Sequence, residues 1–150
     1  MRRTIFILSS LFLLSACGGA DSQKEAEELL QQAQTLYEQS QYTEAKACID
    51  SLRQVYPKAI DARKKALRLS WEIELKEAQD ELAVTDSLLQ LVQHDYDRQQ
   101  AKVEKDKANL QATPEELTML TKTRMKRDSL RTQCEVLGTK IRYIHKKQKE

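Results

Sequence analysis

Few side chains in this 150-residue chain could carry out chemistry, and they are widely spaced. The only histidines are His94 and His145. The run His94-Asp95-Tyr96-Asp97 could hold a metal ion weakly, although a solvated helix face is the preferred interpretation. No serine stands in a recognisable arrangement with a histidine and a carboxylate, and no glycine-rich loop could bind a phosphate. The sequence therefore predicts a non-enzyme without a cofactor, a metal or a small-molecule substrate.

Cysteine is the other residue type with reactive potential, and the chain has three, Cys17, Cys48 and Cys134. The helical pattern described below places Cys48 and Cys134 tens of ångströms apart, whereas a disulfide needs Cα atoms within about 7 Å. We therefore expect two free, buried thiols at these positions, with intermolecular pairing as the alternative.

The amino terminus has the layout of a secretory signal. A basic head, Met1-Arg2-Arg3, precedes an apolar run from Ile5 to Leu14 that is too short to span a bilayer comfortably. The residues Leu14-Ser15-Ala16-Cys17 resemble the lipobox of bacterial lipoproteins. The resemblance implies that the precursor is cut just before Cys17 and that this cysteine is acylated. An ordinary signal peptide followed by a chance cysteine is the alternative.

A lipidated Cys17 would fix the protein to a membrane, because two or three acyl chains exceed the single chain whose binding is marginal. Gly18 follows the cysteine, where an aspartate is the usual inner-membrane retention signal of enteric bacteria. The resemblance therefore implies the outer membrane, and the lack of an acidic run directly after Cys17 favours its periplasmic face. Residues 1–16 would be the signal peptide and residues 17–21 a flexible, lipidated tether.

The formal charge of +2 comes from 25 basic and 23 acidic residues. Arg2 and Arg3 lie in the segment expected to be cleaved, which leaves 23 residues of each sign and a neutral mature chain. A neutral chain has no general attraction for nucleic acid. A basic carboxyl-terminal end remains, which the helix dipole explains; contact with anionic lipid or cell-wall polymers is the alternative. Its residues are Lys140, Arg142, Lys146, Lys147 and Lys149.

The composition beyond the amino terminus is typical of long helices, with only 3 glycines and 2 prolines. Residues 22–57 predict a pair of helices. Ser22-Gln23-Lys24-Glu25 fit a capping box at the start, Ser40-Gln41 interrupt the apolar pattern, and Pro57 ends the second helix. The apolar faces consist of Ala26, Leu29, Leu30, Ala33, Leu36 and Tyr37, then of Ala45, Cys48, Ile49, Leu52 and Tyr56.

The segment from about Ala26 to Pro57 resembles one tetratricopeptide repeat. The matching large, small, aromatic and proline positions are Leu29, Ala33, Leu36, Tyr42, Ala45 and Pro57. The resemblance implies two closely packed antiparallel helices and a partner-binding inner face on the first helix. That face would carry Glu27, Leu30, Gln34, Tyr37 and Glu38. A generic helical hairpin with a solvated face is the alternative.

The stretch from Lys58 to Gln111 holds neither proline nor glycine and predicts one long helix. Apolar residues recur at every seventh position, which marks a coiled-coil seam. These residues are Leu75, Leu82, Leu89, Tyr96, Val103 and Leu110. Before Lys76 the helix has two apolar stripes, so we expect it to be covered on two sides. The stripes are Ala59, Ala62, Ala66, Leu69 and Ile73, and Ile60, Leu67, Trp71 and Leu75.

A last helix is predicted to begin after a turn near residues 111–114. Thr113 would be its N-cap, Pro114 its first residue and Glu116 the partner in a capping box. Its seam is Leu120, Thr123, Arg127, Leu130, Cys134, Leu137, Ile141 and Ile144. Facing residues of an antiparallel hairpin have numbers with a constant sum, and the two seams agree at 226. We therefore expect residues 58–150 to form a long helical hairpin within one chain rather than a parallel dimer.

These patterns predict an all-α fold, in which a tetratricopeptide-like helical hairpin is followed by a long antiparallel two-helix coiled coil. The function that we expect is that of a lipid-anchored, non-catalytic adaptor of the cell envelope. It would bind a protein partner through helical surfaces and the membrane through Cys17. A structural spacer or tether between the outer membrane and the cell wall is the alternative.

Overall fold

The computed structural model describes residues 19–150, and this part of the chain forms four helices and no strand. Their bounds are α1, Gly19–Glu38; α2, Tyr42–Val55; α3, Ile60–Ala108; and α4, Pro114–Lys149. Helices α1 and α2 form an antiparallel pair that packs on the start of α3, and α3 and α4 form a long antiparallel hairpin. The all-α prediction and the order of its parts are confirmed. The expected signal peptide, residues 1–16, and Cys17 lie outside the described residues.

Helix α1 begins earlier than its capping signal predicts. Gly19 is already helical, so most of the segment expected to be a flexible tether belongs to the helix. The predicted start at Ser22 is therefore wrong by three residues. The physical reason is that nothing in Gly19-Ala20-Asp21 stops a helix, and an acidic residue such as Asp21 in the first turn is favoured by the helix dipole.

Helix α1 ends where the interrupted pattern predicts. Ser40 adopts the left-handed backbone conformation, with φ of 61°. Its N–H donates to the carbonyl of Tyr37, and the N–H of Gln41 donates to the carbonyl of Leu36, each at 2.9 Å. This pair of hydrogen bonds is a Schellman motif, which satisfies the last carbonyls of the helix and turns the chain into α2.

Helix α3 also ends in a Schellman motif. It ends two residues before the last residue of the predicted seam. Leu110 has φ of 58°, its N–H donates to Lys107 at 3.0 Å, and the N–H of Gln111 donates to Asp106 at 2.7 Å. Leu110 is 96% exposed, so its expected place in the seam is wrong. The heptad spacing reaches Leu110, but the helix has already ended at Ala108.

The start of helix α4 confirms the predicted capping box. Thr113 accepts a hydrogen bond from the backbone N–H of Glu116, and the carboxylate of Glu116 accepts one from the N–H of Thr113. Pro114 is the first helical residue. Gly138 does not interrupt the helix, which continues to Lys149.

The main core lies where α1, α2 and the first part of α3 meet. Alanines such as Ala33, Ala45 and Ala66 are fully buried there and allow the three helices to approach closely. Larger side chains such as Ile49 and Leu52 fill the space between them. The first predicted stripe of α3 is buried throughout, which confirms that the helical pair covers it. Its members are Ala59, Ala62, Ala66, Leu69 and Ile73.

The register of the α3–α4 hairpin is one helical turn away from the expected one. The hydroxyl of Thr123 donates to Gln99 at 3.0 Å, and their numbers sum to 222. The guanidinium carbon of Arg127 lies 4.1 Å from the ring centroid of Tyr96, at a sum of 223. Three pairs of buried seam residues also have numbers that sum to 222, namely Ala78 and Ile144, Thr85 and Leu137, and Val92 and Leu130. The expected sum of 226 is therefore wrong. Apolar residues of a heptad seam recur at every helical turn, so a slide of one turn brings the two seams together again, and spacing alone does not distinguish the two registers.

The second predicted stripe of α3 is not covered along its length. Ile60 is 60% and Leu67 is 40% exposed, while Trp71 and Leu75 are half-buried. These residues lie on the same face of α3 that packs on α4 farther along the helix, because apolar residues continue along this face at intervals of three and four residues. At a sum of 222, Lys149 at the end of α4 lies level with Ile73. The expectation of a cover on both sides is therefore wrong for Ile60 and Leu67, which no helix covers in the described part of the chain.

Cys48 and Cys134 are both free and half-buried, on α2 and on α4. None of the helices within residues 19–150 combines the length and the apolar character needed to cross a membrane.

Candidate partner-binding site

A shallow groove runs between α1 and α3, at the surface of the three-helix core. Helix α1 contributes Glu27, Leu30 and Gln34 to it, and α3 contributes Lys65, Arg68, Leu69 and Glu72. The small residues of α1, such as Ala26 and Ala33, are buried in the core that α1 shares with α3. The surface residues of α1 and α3 that lie beside this core face each other across a polar cleft. We call this cleft the α1–α3 groove.

The structure brings three of the five predicted contact residues to this groove. Leu30 is 8% exposed and forms part of the core, so it makes the floor of the groove. Gln34 is exposed on one edge. Glu27 is exposed one turn earlier and lies 3.9 Å from Lys65, at the interaction limit of an ion pair. An exposed pair of this kind contributes little stability, so both side chains can exchange it for other partners.

The other two predicted residues lie towards the α1–α2 turn. Tyr37 is half-buried against the core, and its ring centroid is 6.0 Å from that of Tyr42. Glu38 is exposed at the last position of α1. The five residues therefore follow one side of α1, but only the first three share the groove with α3.

Sequence reasoning missed the contribution of α3 to this surface. Lys65, Arg68 and Glu72 follow at intervals of three and four residues and therefore lie on one helical face. The signal was available in this spacing, beside the buried stripe of α3. The tetratricopeptide resemblance ends at Pro57, so it implies contact residues on α1 and none on α3.

Polar contacts hold the three helices around the groove in place. The amine of Lys46 on α2 donates to both carboxylate oxygens of Glu77 on α3, at 2.8 and 2.9 Å. Burial raises the pKa of Tyr56, and the nearby Glu25 carboxylate raises it further. The end of α2 therefore lies beside the start of α1. The amino ends of α1 and α3 consequently lie at the same end of the molecule.

A second polar cluster lies inside the long hairpin, where Arg127 occupies a seam position. Its side chain is only 13% exposed, and it donates to Asp128 at 2.6 and 2.9 Å while stacking on Tyr96. The hydrogen bond from Arg127 holds the pKa of the Asp128 carboxyl below its usual range. Every member of this cluster has a partner, so it fixes the register rather than providing a reactive group.

The run around His94 does not assemble a metal site. Asp95 accepts a hydrogen bond from Arg98 at 2.8 Å, and Asp97 accepts one from Gln93 at 2.7 Å. Within residues 19–150, no group of three or more histidine, cysteine, aspartate or glutamate side chains is close enough to hold a metal ion. His94 is exposed at the edge of a shallow depression beside Arg131.

The α1–α3 groove can form hydrogen bonds and ion pairs with a peptide or a protein surface. Gln34, Arg68 and Glu72 have no hydrogen bond or ion pair to any other residue in the part of the chain that the structure describes. Comparison with known proteins adds no assignment: no protein-family model, curated protein or solved structure matches this chain.

Proposed function

We propose that this protein is a lipid-anchored, non-catalytic adaptor of the bacterial cell envelope. It binds a protein partner through helical surfaces, faces the periplasm and is held to the outer membrane by Cys17. The observation that carries the proposal is the α1–α3 groove, whose exposed polar side chains have few partners within the chain. Side chains of this kind favour binding, because no internal interaction has to be broken before a partner is bound.

The position of α1 supports the anchoring part of the proposal. The helix begins at Gly19, two residues after the cysteine of the lipobox-like sequence. An acylated Cys17 would therefore hold the three-helix end of the molecule close to the membrane. Helix α3 has 49 residues and starts at that same end, so the hairpin extends for about 70 Å from it.

Incorporation of labelled palmitate tests the anchor. The wild-type chain should be labelled and should fractionate with membranes, whereas Cys17→Ala should lose both properties. Equal labelling of the two chains would overturn the proposed attachment.

Affinity capture from envelope extracts tests the adaptor role. The wild-type chain should recover one stoichiometric protein, and Gln34→Arg should reduce that recovery because it adds a charge at the edge of the groove. Gln133→Arg is the matched control, since Gln133 is also an exposed helical glutamine but lies on α4. Equal recovery by the two variants would contradict a role for the groove.

A spacer between membrane and cell wall is the second candidate, and the length of the hairpin favours it. A chain with this role would be recovered with peptidoglycan and without a stoichiometric protein. The same capture experiment therefore separates the two candidates.

A further inference from the structure

An apolar shelf lies on α3 beyond the end of α4. It consists of Ile60, Leu67 and Trp71. These residues lie on the face of α3 that packs on α4 from Ala78 onwards. Because the end of α4 lies level with Glu72 and Ile73, the shelf is about 12 residues or roughly 17 Å long. It continues the face of α3 that packs on α4 farther along the helix.

The shelf exposes more apolar surface than a solvated helix face usually does. Ile60 is 60% and Leu67 is 40% exposed, and Trp71 is half-buried at the boundary with α4. Apolar residues in a row on one helix face, rather than scattered singly, are typical of an interaction site. Trp71 is also the only tryptophan of the chain, so its fluorescence reports on this site alone.

The border of the shelf is basic. Arg53 from α2 and Arg63 and Lys64 from α3 line a shallow depression together with Ile60 and Leu67. Arg63 donates to the carbonyl of Pro57 at 2.8 Å. Arg53 and Lys64 form no ion pair with any residue in the described range 19–150. A partner that carries acidic side chains beside an apolar row would therefore match the shelf in both charge and polarity.

The geometry disfavours two other occupants. A flat membrane cannot lie along the shelf, because α4 rises from the same face of α3 by about one helix diameter, roughly 10 Å. A second copy of this chain would have to pair shelf with shelf, since α4 blocks each helix beyond Glu72. The basic borders of the two copies would then face each other and repel.

We propose that the shelf binds one amphipathic, acidic helix of a partner protein, laid end to end with α4. Its apolar residues, spaced by three and four positions, would pack on Ile60, Leu67 and Trp71, and its carboxylates would lie beside Arg53 and Lys64. The inference rests on the proposed adaptor function and names a second surface and the class of partner. The shelf lies on the face of α3 opposite the core and is distinct from the α1–α3 groove.

Trp71 fluorescence of the full chain in nanodiscs of zwitterionic lipid tests the proposal. The probe is a designed, tryptophan-free helix of about four turns with leucines on one face and glutamates on both flanks. Its match is the same peptide with lysines for the glutamates. The acidic peptide should shift the emission of Trp71 to shorter wavelength and bind about tenfold more tightly than the lysine peptide.

Charge reversal makes the test specific. Arg53→Glu/Lys64→Glu should bind the lysine peptide more tightly than the acidic one. Lys122→Glu/Lys126→Glu, a pair of exposed lysines on α4, should retain the wild-type preference. Circular dichroism establishes that each variant is folded. A preference that charge reversal leaves unchanged would overturn the proposal.

The remaining outcomes of the fluorescence experiment also test the proposal. Absence of a Trp71 shift with the acidic peptide, or equal affinity for both peptides, overturns the acidic-helix proposal. A shift caused by anionic lipid in the nanodisc without peptide would assign the shelf to the membrane, and a shift with doubled mass would assign it to a second copy. Each of these results is independent of palmitate labelling and of capture through the groove, so the shelf can fail while the proposed function stands.

Discussion

Leu110 occupies a backbone position that glycine fills with less strain. It closes α3 with φ of 58° and is 96% exposed, so its side chain contributes little packing while its Cβ opposes the left-handed conformation. We expect Leu110→Gly to raise the free energy of unfolding by about 1 kcal/mol. Urea denaturation followed by circular dichroism measures this change.

Leu110→Ala is the control for that prediction. Alanine also removes the exposed side chain but keeps the Cβ, so the stability of this variant should stay close to that of the wild type. If alanine stabilised the protein as much as glycine, the gain would come from loss of the exposed leucine and not from relief of backbone strain.

Glu116 makes the stability of the hairpin depend on pH. Its hydrogen bond from Lys102 and the hydrogen bond from the Thr113 backbone hold the pKa of the Glu116 carboxyl below its ordinary value of 4.5. A group with a lower pKa in the folded state stabilises the fold above its unfolded-state pKa, and this contribution is lost as the pH falls through the folded-state pKa. We therefore expect Glu116 to contribute at neutral pH and to stop contributing as the pH falls below about 4.5.

Urea denaturation of the wild type and of Glu116→Gln at a series of pH values checks this expectation. The difference in unfolding free energy between the two chains should be largest near pH 7 and should shrink in acid. A difference that is constant with pH would show that the carboxylate charge of Glu116 is not the source of its effect.

At the scale of the helices, the sequence predicts which helices form and how they are capped better than it predicts the register between two helices. The Thr113–Glu116 capping box and the end of α1 at Ser40 are local, because each depends on side chains and turns within a few residues. The register of α3 on α4 is not local. The two seams match at sums of 226 and 222, and the polar contacts of Gln99 with Thr123 and Tyr96 with Arg127 distinguish the two registers.

The native thiol of Cys134 can measure this register. The contacts of Gln99 with Thr123 and of Tyr96 with Arg127 give sums of 222 and 223, which make Leu89 the inward-facing residue level with Cys134, whereas the expected sum of 226 pairs Cys134 with Val92. In a chain with Cys48 replaced by alanine, Leu89→Cys should form an intramolecular disulfide with Cys134 on mild oxidation. Val92→Cys should form it more slowly, because its Cα lies about one helical turn away.

Peptide mapping after oxidation identifies the linked pair, and size-exclusion chromatography separates intramolecular from intermolecular products. Faster closure by Val92→Cys would restore the register that the sequence predicts. Equal closure by both variants would mean that the hairpin slides between the two registers.

At the scale of the whole molecule, the sequence predicted the number of helices but not how far each one is covered. The stripe of Ile60 and Leu67 has the pattern of a buried face, and spacing alone cannot show that α4 does not lie over it. Coverage depends on the register and on the lengths of both arms of the hairpin. Likewise, the sequence predicts only the α1 side of the α1–α3 groove, because the α3 side follows from the docking of α1 and not from any local motif.

The length of the hairpin separates an adaptor from a spacer. Residues 82–88 and 134–140 face each other at a sum of 222, so removal of both segments takes one heptad from each arm and keeps the seam in phase. The shortened protein should unfold cooperatively and be shorter by about 10 Å. An adaptor that binds through the α1–α3 groove should capture its partner as well as the wild type, because the groove and the shelf lie outside the deleted segments.

A spacer should instead lose its function in proportion to its length. Recovery of the shortened chain with peptidoglycan, compared with recovery of the wild type from the same envelopes, provides the measurement. Removal of residues 82–88 alone is the matched control, because it shortens one arm, leaves the Tyr96–Arg127 pair near the turn in register, and moves the end of α4 by one heptad relative to the start of α3. If the doubly shortened chain is folded, captures no protein and no longer reaches the cell wall, the length of the hairpin is the functional property and the adaptor proposal is wrong.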